Sequence, residues 1–219
     1  MTAPVLTMMY PEPPICEKEI LRYAGCKECD EEIRKLLDEC LIIVKNKLTY
    51  KVCYIELPTH IEGAICDFGA LKTESKMLAE NLRNCNKTII FAATVGVELD
   101  RLIAKYGRIS PSKAVMLQAM GAERIEALCD TFCNDLKNDN STPLRPRFSP
   151  GYGDLPLSVQ KQIFSLLDCE KRIGLTLNDS LLMSPTKSVT AFVGLGGQER
   201  SQKNKCSECT MISCSYRGI

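Results

Sequence analysis

The sequence predicts a single α+β domain with a small, mostly antiparallel sheet and several helices. Short runs of β-branched and aromatic residues alternate irregularly with longer segments of helical periodicity. The chain has 219 residues, a length that suits one or two domains. It shows neither an internal repeat nor a linker long enough to demand a second domain.

The N-terminal quarter of the chain predicts two helices and a strand. A short helix is expected over residues 16–24, with Gly25 as its stop. Asp30 is a good N-cap for a second helix, because apolar residues then recur at helical spacing: Ile33, Leu36, Leu37, Cys40, Leu41 and Val44. Residues 48–57 predict a strand, and the pattern over 61–66 allows another.

The middle of the chain predicts a helix over residues 73–85, capped by Thr73, and a buried strand over 88–93. Residues 96–106 are helical in pattern, with Gly107 as the expected end.

Ser110 and Pro111 then begin a long helix that reaches about residue 136. Its buried stripe is expected to contain Ala114, Val115, Leu117, Met120, Ile125, Leu128, Cys129, Phe132 and Leu136.

The C-terminal third begins with a loop over residues 138–157, rich in Asn, Ser, Pro and Gly. Loops of this length inside a compact domain are usually functional. A helix over 158–171 and a strand over 188–193 follow. The expected organisation is a domain over residues 1–197 and a cysteine-bearing tail over 198–219.

Composition excludes several classes of function. Lys plus Arg is 28 and Asp plus Glu is 27, so a net charge of +1 gives no general attraction to nucleic acid. The most apolar stretch, 88–99, is too short to span a membrane. The 13 cysteines, an odd number without a signal-peptide pattern, favour free thiols in a reducing cytoplasm. One histidine, His60, excludes a multi-histidine metal centre.

The segment from Arg147 to Asp154 combines a cation, two glycines, a proline and a tyrosine. Arg147 can pair with a carboxylate, and Tyr152 can stack on a base. The alternative is an ordered connector in which glycine and proline only set the turns.

Residues 147–194 resemble the activation domain of cobalamin-dependent methionine synthase. That family has an R-x-x-x-G-Y loop, a helix, an I-G-x-x-L-T-E-S segment and a strand that opens with S-V. The corresponding stretches here are Arg147-x3-Gly151-Tyr152, the helix after Pro156, Ile173-Gly-Leu-Thr-Leu-Asn-Asp-Ser180, Met183-x-Pro185 and Ser188-Val189. The similarity extends more weakly upstream to about residue 88.

The resemblance implies binding of S-adenosylmethionine, which this family presents to oxidised cobalamin for reductive methylation. Arg147 would hold the methionine carboxylate, Ser149 and Gly151 would offer backbone contacts, and Tyr152 would line the adenosine pocket. A carboxylate near the sulfonium is also expected, with candidates Glu123 and Glu126 on the long helix. The family's acidic and histidine positions after the glycine-tyrosine pair are here Leu157 and Ser158.

The expected function is that of an accessory reactivation protein, without a complete reaction of its own. It would bind S-adenosylmethionine and dock on a methionine synthase core or another corrinoid protein that carries the cobalamin. Neither nucleic acid nor a membrane is an expected partner.

The tail supplies an alternative from another class. Cys206-x2-Cys209 can bring two thiolates to one metal, and Cys214 adds a third. Zinc and iron–sulfur clusters usually take four ligands, and Cys26-x2-Cys29 could supply the rest if the two ends of the chain meet. The alternative function is thus a metal or redox protein on the same fold that no longer binds S-adenosylmethionine. The simplest interpretation of the tail itself is a disordered, cysteine-rich end.

Overall fold

The structure is a computed structural model that describes residues 3–139 and 143–196. Along residues 3–94 the elements are, in order, β1 (Leu6–Tyr10), α1 (Glu17–Tyr23), α2 (Glu31–Val44), β2 (Tyr50–Pro58), β3 (His60–Glu62), β4 (Ile65–Asp67), β5 (Lys72–Glu74), α3 (Lys76–Asn81) and β6 (Lys87–Thr94). The remaining described residues form α4 (Glu98–Ile109), α5 (Pro111–Asp139), α6 (Val159–Leu167), α7 (Cys169–Ile173), β7 (Thr176–Leu177), β8 (Met183–Ser184) and β9 (Ser188–Leu195).

A four-stranded antiparallel sheet lies at the centre, in the order β1-β2-β6-β9. Phe91 of β6 is opposite Tyr54 of β2 and Ala191 of β9. The chain after α5 returns along the outer edge of β9, where Leu144 pairs with Leu195 and Phe148 with Phe192. The loop that carries Arg147 is therefore attached to the sheet by main-chain pairing.

Both faces of the sheet are buried along β2, β6 and β9, because the side chains of these strands alternate between two apolar clusters. In β6, Phe91 points toward α1, α2, α4 and α5, whereas Ile90 points toward α3, α6 and α7. The ring of Phe132, on α5, lies 5.0 Å from that of Phe91. On the opposite face, Phe68 and Phe192 stack at 5.4 Å. The sheet is thus sandwiched between two layers of helix.

The predicted α+β class and mostly antiparallel sheet are confirmed. The helices over 16–24 and after Asp30 form as α1 and α2, and the Asp30 side chain accepts a hydrogen bond from the Ile33 N–H at 2.8 Å. The strands expected over 48–57, 88–93 and 188–193 form as β2, β6 and β9. None of the helices in the described ranges has the length and apolar character needed to cross a bilayer.

Two predicted helices have wrong boundaries, and the first of them, expected over 73–85, also ends early, at Asn81. Thr73 lies in β5, and the N-cap of α3 is Ser75, whose hydroxyl accepts from the Leu78 N–H at 3.0 Å. Helix α4 continues through Gly107 to Ile109. A glycine inside a helix costs only about 1 kcal/mol, so the amphipathic packing of α4 outweighs it.

Further differences arise from backbone turns. The helix expected over 158–171 is divided at Asp168, which adopts the left-handed conformation at φ 50°. Residues 61–66 form no single strand, because Gly63, at φ 61°, turns β3 into β4. Val115 is 56% exposed and lies outside the buried stripe of α5. The edge strand β1 was not predicted, since prolines surround it.

Candidate functional site

The candidate site lies where the chain leaves the edge of β9. The Arg145 and Phe148 N–H groups donate to the carbonyls of Gly194 and Phe192, each at 2.9 Å. Phe148 is buried among the side chains of the α6 face, whereas its neighbour Arg147 reaches α5 on the opposite face. Sheet pairing therefore holds Arg147 over the flank of the long helix.

Arg147 lies between two carboxylates of α5. Its Nη2 is 2.7 Å from Glu126 Oε2 and its Nη1 is 2.5 Å from Asp130 Oδ1. The Arg147 side chain is 12% exposed, whereas those of Glu126 and Asp130 are 47% and 61% exposed. The two acids are four residues apart and so share one face of the helix. The result is a mostly buried guanidinium, held in place by two carboxylates that solvent reaches.

A tight turn over residues 149–155 follows Arg147. The Tyr152 N–H donates to the Ser149 carbonyl at 3.1 Å, and the Gly151 N–H donates to the Leu155 carbonyl at 2.9 Å. Gly151 and Gly153 have φ of +86° and +59°, a region that favours glycine. The Gly151 N–H, which the sequence analysis offered to a ligand, is used within the turn.

Tyr152 projects from this turn and is 51% exposed. Its ring meets that of Phe148 edge-on, with centroids 5.4 Å apart and an interplanar angle of 83°. Leu157 and Met77 are also exposed, and each packs against a glycine of the turn. The Tyr152 ring thus contacts the buried Phe148 on one side and is open to solvent on the other.

Asp154 ties the turn to the start of α3. Its carboxylate accepts hydrogen bonds from the Ser75 hydroxyl, from the Lys76 N–H at 2.8 Å and from the Met77 N–H at 3.2 Å. The Ser75 hydroxyl, followed by these main-chain amides, lowers the pKa of Asp154 below its usual range. The charged form of Asp154 therefore stabilises the fold.

We expect Asp154→Asn to lower the thermal midpoint at neutral pH and to have less effect as the pH falls. Because the pKa of Asp154 is depressed in the folded protein, its charge contributes stability above the unfolded pKa of about 3.9, and that contribution is lost as the pH falls through the folded value. Thermal melts of both proteins between neutral and acidic pH measure this. A difference between their midpoints that is constant with pH would contradict it.

Glu123 does not join this cluster. Its side chain is 4% exposed, and Arg124 Nε and Nη2 lie 2.5 and 2.6 Å from its two oxygens. The same carboxylate accepts from the Cys16 N–H at 3.0 Å. The structure therefore brings Glu126, but not Glu123, to Arg147.

Asp130 is not among the residues that the sequence motif singles out. The available signal was its position four residues after Glu126, which places it on the same helix face. Nothing local in the sequence indicates that the loop seventeen residues later would return there.

Only some of the cysteines predicted as metal ligands lie within the described residues. Cys206, Cys209 and Cys214 lie outside the described residues, so their metal binding stays a prediction. All ten cysteines within the described ranges are free thiols, and there no three cysteine, histidine or acidic side chains are grouped to hold a metal.

Comparisons with known proteins agree with the resemblance in the sequence. Residues 75–211 match the family model described as "Vitamin B12 dependent methionine synthase, activation domain". The fold is similar to a crystal structure of the MetH reactivation domain bound to AdoHcy, with a TM-score of 0.66 and 13% sequence identity. That alignment covers 91% of this chain and 82% of the other. Because the family model spans more than half of the chain, this protein belongs to the activation domain family of vitamin B12-dependent methionine synthases.

Proposed function

We propose that this chain binds S-adenosylmethionine at the surface formed by Arg147 and the 149–155 turn, and that it supports reactivation of a cobalamin protein. The observation that carries the proposal is that the guanidinium of Arg147 is held by Glu126 and Asp130, and that the ring of Tyr152, five residues later, is exposed, with both residues at the positions of the family motif. The family match supports it, as does the similar domain whose structure holds AdoHcy.

Arg147 would hold the methionine carboxylate of the ligand. A guanidinium has five N–H donors. Nη1 donates to Asp130 and contacts Cys133 Sγ at 4.0 Å, and Nη2 donates to Glu126. The N–H of Nε and the second N–H of Nη2 would then serve the ligand carboxylate. Charge-assisted hydrogen bonds of this kind are the strong ones, and they set the orientation of the bound ligand.

Tyr152 would contact the adenine base. An aromatic ring that is half exposed and supported from one edge offers a face for stacking. The half-buried Ser149 lies between Arg147 and Tyr152 in the sequence. Its carbonyl accepts from the Tyr152 N–H within the turn, so its own N–H would make the contact with the ligand between the carboxylate and the base.

A corrinoid protein would dock on this same surface. The methyl group leaves the sulfonium for a cobalt atom that a partner carries, so the sulfonium must stay accessible from outside. The exposed apolar side chains around the turn, Met77, Tyr152 and Leu157, offer a contact area for that partner.

Calorimetric titration of S-adenosylmethionine tests the proposal. We expect saturable binding to the wild type and an affinity at least tenfold weaker for Arg147→Ala, because a hydrogen bond to a charged group contributes about 1.5–3 kcal/mol. Arg34→Ala is the matched control, since Arg34 pairs with Glu17 on another part of the surface.

Circular dichroism of each variant separates loss of binding from loss of fold. A folded wild type that takes up no S-adenosylmethionine would contradict the proposal, as would equal affinity in Arg147→Ala.

A further inference from the structure

The two edges of the central sheet differ in what covers them. The returning chain pairs with the outer edge of β9, where the Arg145 and Phe148 N–H groups donate to main-chain carbonyls. The opposite edge is β1, and within residues 3–139 and 143–196 this strand pairs with β2 alone. The covered edge carries the candidate site, and the other edge is open.

The main-chain groups of Thr7 and Met9 point away from the sheet. The Thr59 N–H donates to the Asn86 carbonyl at 3.0 Å, in the register of the β2–β6 pair. Because main-chain bonds alternate in direction along a strand, the odd-numbered residues of β2 bond to β6 and the even-numbered ones to β1. Leu6 and every second residue after it lie opposite those even-numbered residues and use their main chain there. The N–H and C=O groups of Thr7 and Met9 therefore face outward, where no group of the described residues bonds to them.

The side chains along this open edge carry no charge. From Ala3 to Pro11 the sequence has neither an acidic nor a basic residue. Leu6 is 47% exposed and Met9 is 73% exposed. Natural edge strands are usually protected by a lysine, by a proline within the strand or by a covering segment. The Leu6–Tyr10 strand contains neither a lysine nor a proline, and the described part of the chain covers only its inner side.

We propose that two copies of this protein pair through β1, antiparallel and about a two-fold axis at Thr7, to form one eight-stranded sheet. In this register Thr7 lies opposite Thr7 of the second copy, Leu6 lies opposite Met8, and Val5 lies opposite Met9. The outward main-chain groups of Val5, Thr7 and Met9 then exchange about six hydrogen bonds between the two copies.

A second copy fits this edge because the edge complements itself. Met8 and Leu6 share the side of the sheet that α5 covers, whereas Val5 and Met9 share the side that α6 covers. A two-fold axis perpendicular to the sheet keeps these sides together, so each exposed apolar side chain meets an apolar side chain of the other copy. Both strands are uncharged, so no like charges lie opposite each other. A charged peptide strand would find no counter-charge on β1.

The proposed pairing leaves the candidate sites free. The Arg147 loop runs along β9, at the other end of the sheet order from β1. Two copies joined through β1 would carry their Arg147 loops at opposite ends of the eight-stranded sheet. Each loop would then be open to a separate partner, and the pairing itself does not depend on what the loop binds.

Sedimentation equilibrium over a range of protein concentrations tests the inference. We expect the mass of the wild type to rise from 24.4 kDa toward twice that value with concentration, because an interface of this size is small and its association weak. Thr7→Lys should weaken the dimer by about tenfold or more, since it places two ammonium groups on residues whose Cα atoms are about 5.5 Å apart. Thr7→Val, which adds no charge, should still form the dimer.

Ile42→Lys is the matched control, because Ile42 of α2 is 73% exposed and gains the same charge away from β1. It should leave the dimer unchanged, and circular dichroism checks that each variant is folded. Wild-type protein that stays monomeric at every concentration would overturn the inference. A dimer that Thr7→Lys forms as tightly as the wild type would also overturn it.

Hydrogen exchange at the Thr7 and Met9 amides gives a second readout. We expect both amides to exchange rapidly in dilute protein and more slowly as the dimer forms. Slow exchange of both amides in the monomer would contradict the inference, because another segment of the chain would then cover this edge.

Discussion

Replacing Arg124 with methionine should lower the free energy of unfolding by about 3–5 kcal/mol. The Arg124 side chain is 1% exposed and is paired with Glu123, itself 4% exposed. Removal of the guanidinium leaves a carboxylate buried without its counter-charge, and this desolvated charge is the main cost.

Arg124 also fastens the N-terminal segment to α5. Its Nη1 donates to the Pro13 carbonyl at 2.6 Å and its Nη2 to the Pro14 carbonyl at 2.7 Å. The Pro13 and Pro14 carbonyls thus receive their hydrogen bonds from the side chain of Arg124. Methionine fills similar space but donates nothing, and both carbonyls lose their partner.

Thermal or urea unfolding of Arg124→Met measures the effect. For a domain of this size, 1 kcal/mol corresponds to about 2–4 °C, so the midpoint should fall by about 10 °C. Arg101→Met is the control: the side chains of the Arg101–Glu98 pair are both exposed, and such pairs contribute about 1 kcal/mol or less.

The double variant Glu123→Gln with Arg124→Met should recover part of the loss, because it removes the unpaired charge. A loss of less than 1 kcal/mol in Arg124→Met would mean that the buried pair is not what holds the N-terminal segment.

The sequence predicts those parts of this fold that depend on neighbouring residues, such as helix caps and amphipathic periodicity. Asp30 caps α2 as expected, because a carboxylate before an amphipathic run satisfies the free N–H groups of the first turn. Thr73 and Ser75 are both hydroxyl residues two positions apart, and either could cap α3 by local criteria. Pairing of β5 with β4 takes Thr73 into a strand and leaves the cap to Ser75.

The candidate site also contains residues that the sequence predicts and residues that only the fold brings in. The order of residues in the motif was enough to single out Arg147 and Tyr152. The motif could not predict Asp130, because Arg147 meets that turn of α5 only through the return of the chain along β9. Glu123 and Glu126 lie on the same helix and are equivalent by sequence pattern. In the structure, Glu123 is buried in an ion pair with Arg124, whereas Glu126 pairs with Arg147.

We expect Phe192→Ala to lower the free energy of unfolding by about 3–5 kcal/mol, the usual cost of removing a buried phenylalanine side chain. Phe192 is fully buried and stacks on Phe68 at 5.4 Å. It also lies opposite Phe148, whose main chain carries the Arg147 loop along β9. The cavity would therefore open beneath the candidate site as well as in the core.

Tyr152→Ala is the comparison variant, because Tyr152 contacts Phe148, the residue opposite Phe192, from the solvent side. Its ring meets Phe148 edge-on but is 51% exposed, so its removal should cost about 1 kcal/mol or less. If Tyr152 serves the ligand, its loss should weaken S-adenosylmethionine binding while the unfolding midpoint stays close to that of the wild type. Unfolding and titration of both variants measure this. Equal losses of stability would instead make Tyr152 a packing residue of the loop.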